Sequence, residues 1–154
     1  MPGREVFGEE ELQAVLEVMK RKVLFRYGFD KEREGIFKVA EFEKAFAAAM
    51  GCRYALAVAS GSAAVKIALK ALNLLENGEV LVPAFTFVAS VEAVQEAGLK
   101  PVLCEVDDSL NLSVADVESK VTGRTVALLP VHMCGSACDM DSLMSLAREK
   151  GLKV

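Results

Sequence analysis

With 154 residues, 53% of them apolar and 26% charged, the chain is sized for one domain and has enough apolar surface to offset the entropy of ordering. A disordered tail is therefore excluded. Its 18 basic and 22 acidic residues leave a formal charge of −4, so the electrostatic footprint of a nucleic-acid binder is missing.

The opening stretch MPGREVFGEEELQ is acidic and has no apolar core, which does not suit a signal peptide. A cytoplasmic location is the expectation. Over 9–24, Leu12, Val15, Leu16, Met19 and Val23 fall at helical spacing behind an acidic first turn, the pattern of an amphipathic helix. The glycine-marked, charged segment Arg26–Gly35 reads as a loop. Residues 1–36 thus form a helix-and-loop arm. Phe37–Met50 is helical again, with Phe42, Ala45, Phe46 and Ala49 on one face and Gly51 as its stop.

From Tyr54 the pattern changes to alternating short apolar runs and helical stretches. Strands are expected at 54–59, 79–83, 101–107 and 125–131, with helices at about 62–75, 87–97, 113–120 and 139–150. The strand runs are apolar on both faces, as in a parallel sheet covered on each side. The region 37–154 therefore predicts an α/β fold, an open and mainly parallel sheet with helices on both faces. The 62–75 helix carries only Lys66, Lys70 and Asn73 as a polar stripe, so it is expected to lie mostly inside. Leu152–Val154 starts a further strand, which makes the α/β domain incomplete and the sequence the front part of a longer protein. Hydrogen exchange is expected to be slow over 54–59 and fastest over 152–154.

Tyr54–Leu75 is apolar enough to suggest a membrane span, but Lys66 and Lys70 near its centre would cost roughly 5–7 kcal/mol on insertion scales. Ser60-Gly61-Ser62 also divides it into strand and helix. No membrane partner is expected. His132, Cys134, Cys138 and Asp139 spell H-x-C-x3-C-D, but a second ligand pair is absent and no metal site is predicted. The cysteines read as buried free thiols.

Ligands of open parallel sheets sit beyond the carboxyl ends of the strands. Those ends are Ser60–Ala63, Pro83–Phe87, Asp107-Asp108 and His132–Gly135. Ser60-Gly61-Ser62-Ala63, at a strand-to-helix turn, suits an anion such as a phosphate, or an ordinary serine N-cap. Phe85 and Phe87 either pack under the next helix or offer a ring to a flat ligand. His132 is either a satisfied, partly buried imidazole or a ligand contact.

The blocks VASGSAAVKIALKALNL, GEVLVPAFTFVASVEAVQEAGLKPVLCEVD and LNLSVADVESKVTGRTVALLPVHMCGSACDMDSLMSLAREKGLKV, preceded by FEKAFAAAMGCRYALAV, closely resemble the N-terminal half of the DegT/StrS-type nucleotide-sugar aminotransferases. The resemblance covers about residues 37–154. It implies the large domain of a fold-type-I enzyme dependent on pyridoxal 5'-phosphate. Gly61, Ser62 and Ala63 would hold the cofactor phosphate, with Ser62 where members commonly have Thr, and Phe87 would stack on the pyridine ring. His132 falls in the family's V-H-x-x-G block near the cofactor, without an assigned role. The lysine that binds the cofactor covalently and the aspartate that pairs with the pyridinium nitrogen belong to later family segments, so no catalytic residue is expected in this chain. The implied partners are an amino donor, glutamate or glutamine, and a keto or nucleotide-linked sugar, in a homodimer. Two other readings stay open: the lysine-less dehydratase branch of the family, and a truncated, non-catalytic paralogue serving in binding or assembly.

Overall fold

The computed structural model describes residues 3–154. They form two compact units that divide between Ala57 and Val58.

The first unit is helical: a short 3-10 turn at Arg4–Val6, then α1 (Glu9–Arg21), α2 (Asp30–Arg33) and α3 (Lys38–Ala49). The Gly8 amide donates to Glu11 at 2.7 Å and closes the start of α1. Lys38 at the start of α3 pairs with Glu17 of α1 at 2.8 Å. Both helices form where the periodicity places them, but Leu12, Val15, Met19, Phe42 and Phe46 remain exposed. The segment read as a loop contains α2, whose Arg33 is buried and stacks over the Phe37 ring.

Residues 54–59 correct the expected first strand. They form no ladder, and Tyr54 and Leu56 are 82% and 60% exposed. At Ala57 side chains take the place of the expected strand pairing. Glu43 of α3 accepts the Ala57 amide at 2.7 Å and is paired with Arg26, which in turn donates to the Ala57 carbonyl at 3.2 Å. The Ala57 amide, then Arg26, hold the Glu43 carboxyl below its ordinary range. The expectation of slow exchange at 54–59 falls with the strand.

The second unit carries α4 (Gly61–Ala71), β1 (Glu79–Pro83), α5 (Ala89–Glu96), β2 (Lys100–Cys104), α6 (Val114–Lys120), β3 (Thr125–Leu128), a 3-10 turn at Met133–Gly135 and α7 (Met140–Lys150). The three strands are parallel in the order β2-β1-β3. Side chains alternate across the sheet, so both faces are covered. Leu81, Cys104 and Leu128 meet Leu112, Val117, Leu143 and Leu146 on one side. Val80, Val82 and Ala127 meet Leu69 of α4 and Ala93 and Val94 of α5 on the other. β1 has the predicted bounds, while β2 and β3 end three residues early, and beyond β2 Val106 bridges instead to Leu112 in the following loop. Lys153 forms an isolated parallel bridge to Ala127.

Helix α4 is not mostly inside. Only Leu69 is buried, Ile67 and Leu72 are exposed, and the helix ends four residues early as Asn73 enters the left-handed region at φ 48°. Burial of cysteines is likewise divided: Cys104 and Cys138 are buried, Cys52 and Cys134 exposed.

Gly78 sits where a Cβ would lie 2.7 Å from both Val126 methyls and 2.8 Å from the Leu75 carbonyl oxygen. Gly78→Ala should therefore cost about 1–3 kcal/mol, read as a lower urea midpoint with unchanged slope. At the same end of the sheet Glu79, with its side chain 4% exposed, accepts from Thr122 at 2.6 Å and from Arg124 at 2.7 Å. The Thr122 hydroxyl, then Arg124, hold its carboxyl below the ordinary 4.5. Between the depressed native value and the ordinary one, the unfolded chain binds more protons, so stability rises with pH. That contribution is present in full above the ordinary value and is lost as acidification passes the native one. Urea midpoints taken from about pH 5 to about pH 3 should fall less steeply in Glu79→Gln than in the wild type.

Candidate functional site

Helix α4 starts with Ser60 in extended backbone, its Oγ accepting the Ala63 amide at 3.2 Å and its carbonyl accepting the Ala64 amide at 3.0 Å. Ser60 is thus the N-cap, and Ala63 spends its N–H on that cap. The Gly61 and Ser62 amides and the Ser62 hydroxyl have no partner among the described residues. A Cβ on Gly61 would meet nothing within 4 Å, and no acidic residue lies in the first turn. Two free N–H groups, a hydroxyl and the positive end of an eleven-residue helix fit a phosphate.

The start of α5 lies beside the start of α4. A cleft between them is lined by Ser62, Ala63, Lys66, Ala89, Glu92 and Glu96. Lys66, on the polar stripe, pairs with Glu96 at 2.6 Å, which holds that carboxyl below its ordinary range. Glu92 and Glu96 make the rest of the cleft acidic, so the anion-favouring part is confined to the α4 start.

At the start of α5, the Ser90 amide donates to the Phe87 carbonyl at 3.0 Å, and the Thr86 and Ser90 hydroxyls lie 2.9 Å apart. Phe85 is 49% and Phe87 75% exposed. Neither ring is packed away under α5, so both are open to a flat ligand.

The loops after β2 and β3 are tied together by side chains. His132 is exposed, and its Nδ1 accepts the Cys138 amide at 3.1 Å. The ring is satisfied on that side without being buried. Asn111, 1% exposed, joins the loop after β2 to the loop after β3. Asp139 caps α7 by accepting the Ser142 amide at 3.1 Å, and the Ser142 side chain and amide keep its carboxyl below the ordinary range. Burial, more than the neighbouring Asp116, pushes the Cys104 thiol up to about 11, which makes it unreactive. Among the described residues no three His, Cys, Asp or Glu side chains gather as a metal set. None of the described helices is long and apolar enough to cross a membrane.

Sequence reasoning missed Asn111 and Glu43, whereas the serine N-cap was one of its two readings of Ser60–Ala63. Asn111 had one signal, an amide between two leucines in a run otherwise headed for the core.

The DegT/DnrJ/EryC1/StrS aminotransferase family matches residues 6–154. This chain belongs to that family. Among its relatives in the DegT/DnrJ/EryC1/StrS group, GDP-perosamine synthase of Caulobacter vibrioides is 41% identical over 117 residues, 75% of this chain and 32% of that protein. The crystal structure of 3-amino-5-hydroxybenzoic acid synthase matches with a TM-score of 0.84 and 34% identity, covering 95% of this chain and 36% of its own. That of NtdA from Bacillus subtilis, with the cofactor PMP bound, matches with a TM-score of 0.81 and 29% identity, covering 96% and 33%. The chain spans about a third of the length of these relatives.

Proposed function

We propose that this chain is the N-terminal, phosphate-holding part of a pyridoxal-phosphate-dependent aminotransferase. The whole enzyme would move an amino group from glutamate or glutamine to a keto or nucleotide-linked sugar. The observation that carries the reading is the α4 start, where the Gly61 and Ser62 amides and the Ser62 hydroxyl stand unpartnered among the described residues; Phe87, ahead of α5, is exposed. Family membership and the nucleotide-sugar name of the Caulobacter relative support the substrate class. NtdA with PMP, the amine-carrying form of the cofactor, supports the cofactor.

In this reading residues 37–154 hold the incomplete cofactor domain. Gly61 and Ser62 bind the phosphate through N–H groups, and the Ser62 hydroxyl adds a third donor. Ala63 contributes by its place in the first turn, and Phe87 covers one face of the pyridine ring. Pyridoxal phosphate, when bound, supplies the electron sink for the carbon that exchanges its amino group. The resemblance assigns the covalently binding lysine and the pyridinium-pairing aspartate to family segments outside the matched residues. Homodimerisation and a cytoplasmic location belong to the same proposal, which the family resemblance supports.

Amino transfer from glutamate to a keto-sugar nucleotide, assayed in the full-length enzyme, tests the proposal; a cofactor-loaded enzyme with no amino transfer refutes it. The 154-residue chain by itself should show none. Lys66 is held by Glu96, and Lys70 is an exposed residue one turn further along α4. Reductive trapping with pyridoxal phosphate and borohydride should therefore label lysines diffusely and below one equivalent. One stoichiometrically labelled lysine together with turnover would contradict this.

A further inference from the structure

We propose that Asn111 is a positioning residue, which holds the loop after β3 so that His132 stands at the strand-end rim as a hydrogen-bond donor through Nε2. Asn111 leaves the loop after β2 with its side chain buried, and its amide is used from both ends. Its Oδ1 accepts the Met133 amide at 3.1 Å, while its Nδ2 donates to the Ala137 carbonyl at 3.2 Å and to the Ser136 hydroxyl at 3.4 Å. One side chain therefore grips Met133, the first residue of the Met133–Gly135 turn, and Ser136 and Ala137 just beyond it. That turn needs the grip, because Cys134 sits at φ 53°, a left-handed conformation a side chain pays for in strain. Cys138 adds a tie at the far end, its thiol donating to the Val131 carbonyl at 3.2 Å.

The consequence falls on His132. With the loop in this shape the Cys138 amide donates to Nδ1 at 3.1 Å, so Nδ1 is the bare nitrogen and the neutral ring carries its proton on Nε2. Nε2 has no partner among the described residues, and the ring is exposed beyond the carboxyl end of β3, where an open sheet of this kind binds its ligands. Use of that N–H toward an oxygen of the cofactor or the amino donor rests on the proposed function. The state of the ring does not.

The chain has a single histidine, so nitrogen-15 spectra of histidine-labelled protein report His132 alone. At about pH 8.5, above the ordinary histidine range, the wild type should show one tautomer, with Nδ1 as a bare acceptor and Nε2 protonated. Asn111→Ala should weaken that preference about fivefold, the worth of one net hydrogen bond, and draw both resonances toward a mixture. Asn111→Asp keeps the size and the oxygen facing Met133 while losing both donated bonds, and should move the ring the same way if the alanine variant does not fold. Val94→Ala, a core truncation on the opposite face of the sheet, should destabilise without moving the ring. A wild-type ring already in mixture overturns the proposal, as does a ring unchanged in either folded Asn111 variant or moved equally by Val94→Ala. None of these outcomes depends on whether pyridoxal phosphate binds at α4, so this proposal and the functional one fail separately.

Discussion

Ser62→Ala lowers the affinity of the full-length enzyme for pyridoxal phosphate by about one to two orders of magnitude. The hydroxyl is unpartnered at the α4 start and would donate to a charged oxygen, an interaction worth roughly 1.5–3 kcal/mol, with tenfold in affinity for each 1.4 kcal/mol. Ser62→Thr keeps the hydroxyl and should bind nearly as the wild type does. Phe87→Ala should weaken binding as well, because a ring 75% exposed loses little packing of its own when removed but forfeits the stacked face. Equilibrium dialysis of the variants decides the matter. Wild-type affinity in both Ser62→Ala and Phe87→Ala would show that the cofactor is held elsewhere.

Leu143→Ala destabilises the second unit by about 2–5 kcal/mol, a large part of the roughly 5–15 kcal/mol that holds a domain together. Leu143 is fully buried on α7 against Leu81, Leu112 and Leu128, and the sheet behind it leaves little room for collapse into the cavity. Leu56→Ala, in a segment whose sequence reads as core strand, should change stability by no more than about 0.5 kcal/mol, since Leu56 is 60% exposed. Urea denaturation of the two variants reads the contrast directly. Comparable losses would mean that 54–59 is buried in a ladder after all.

The β1-α5-β2-α6-β3-α7 run was legible because each strand is a short, doubly apolar run and each helix has its own stop or cap, as Gly151 and Asp139 show on α7. The errors share one cause. Apolar pattern predicts which faces seek cover, but not whether a partner is present. Tyr54, Leu56, Ile67 and Leu72 have the pattern of core and are exposed, because backbone pairing and helix cover are tertiary properties that no local window contains. The strand-end loops were placed by topology, and the family blocks named Gly61, Ser62 and Phe87 before any geometry. Division of labour within them was not legible. Ser60 takes the Ala63 amide for the cap while the Gly61 and Ser62 amides stay open, and Asn111 reaches Met133, Ser136 and Ala137 across more than twenty residues of chain.

The central claim is that the start of α4 holds the cofactor phosphate, and amide spectra of the 154-residue chain test it most directly. Inorganic phosphate, then pyridoxal phosphate, is titrated while every backbone N–H is followed. The Gly61 and Ser62 amides should shift first and furthest with both, saturably, and pyridoxal phosphate should also move the Phe87 region. Binding that saturates while Gly61 and Ser62 stay still, with the shifts gathered elsewhere, would contradict it.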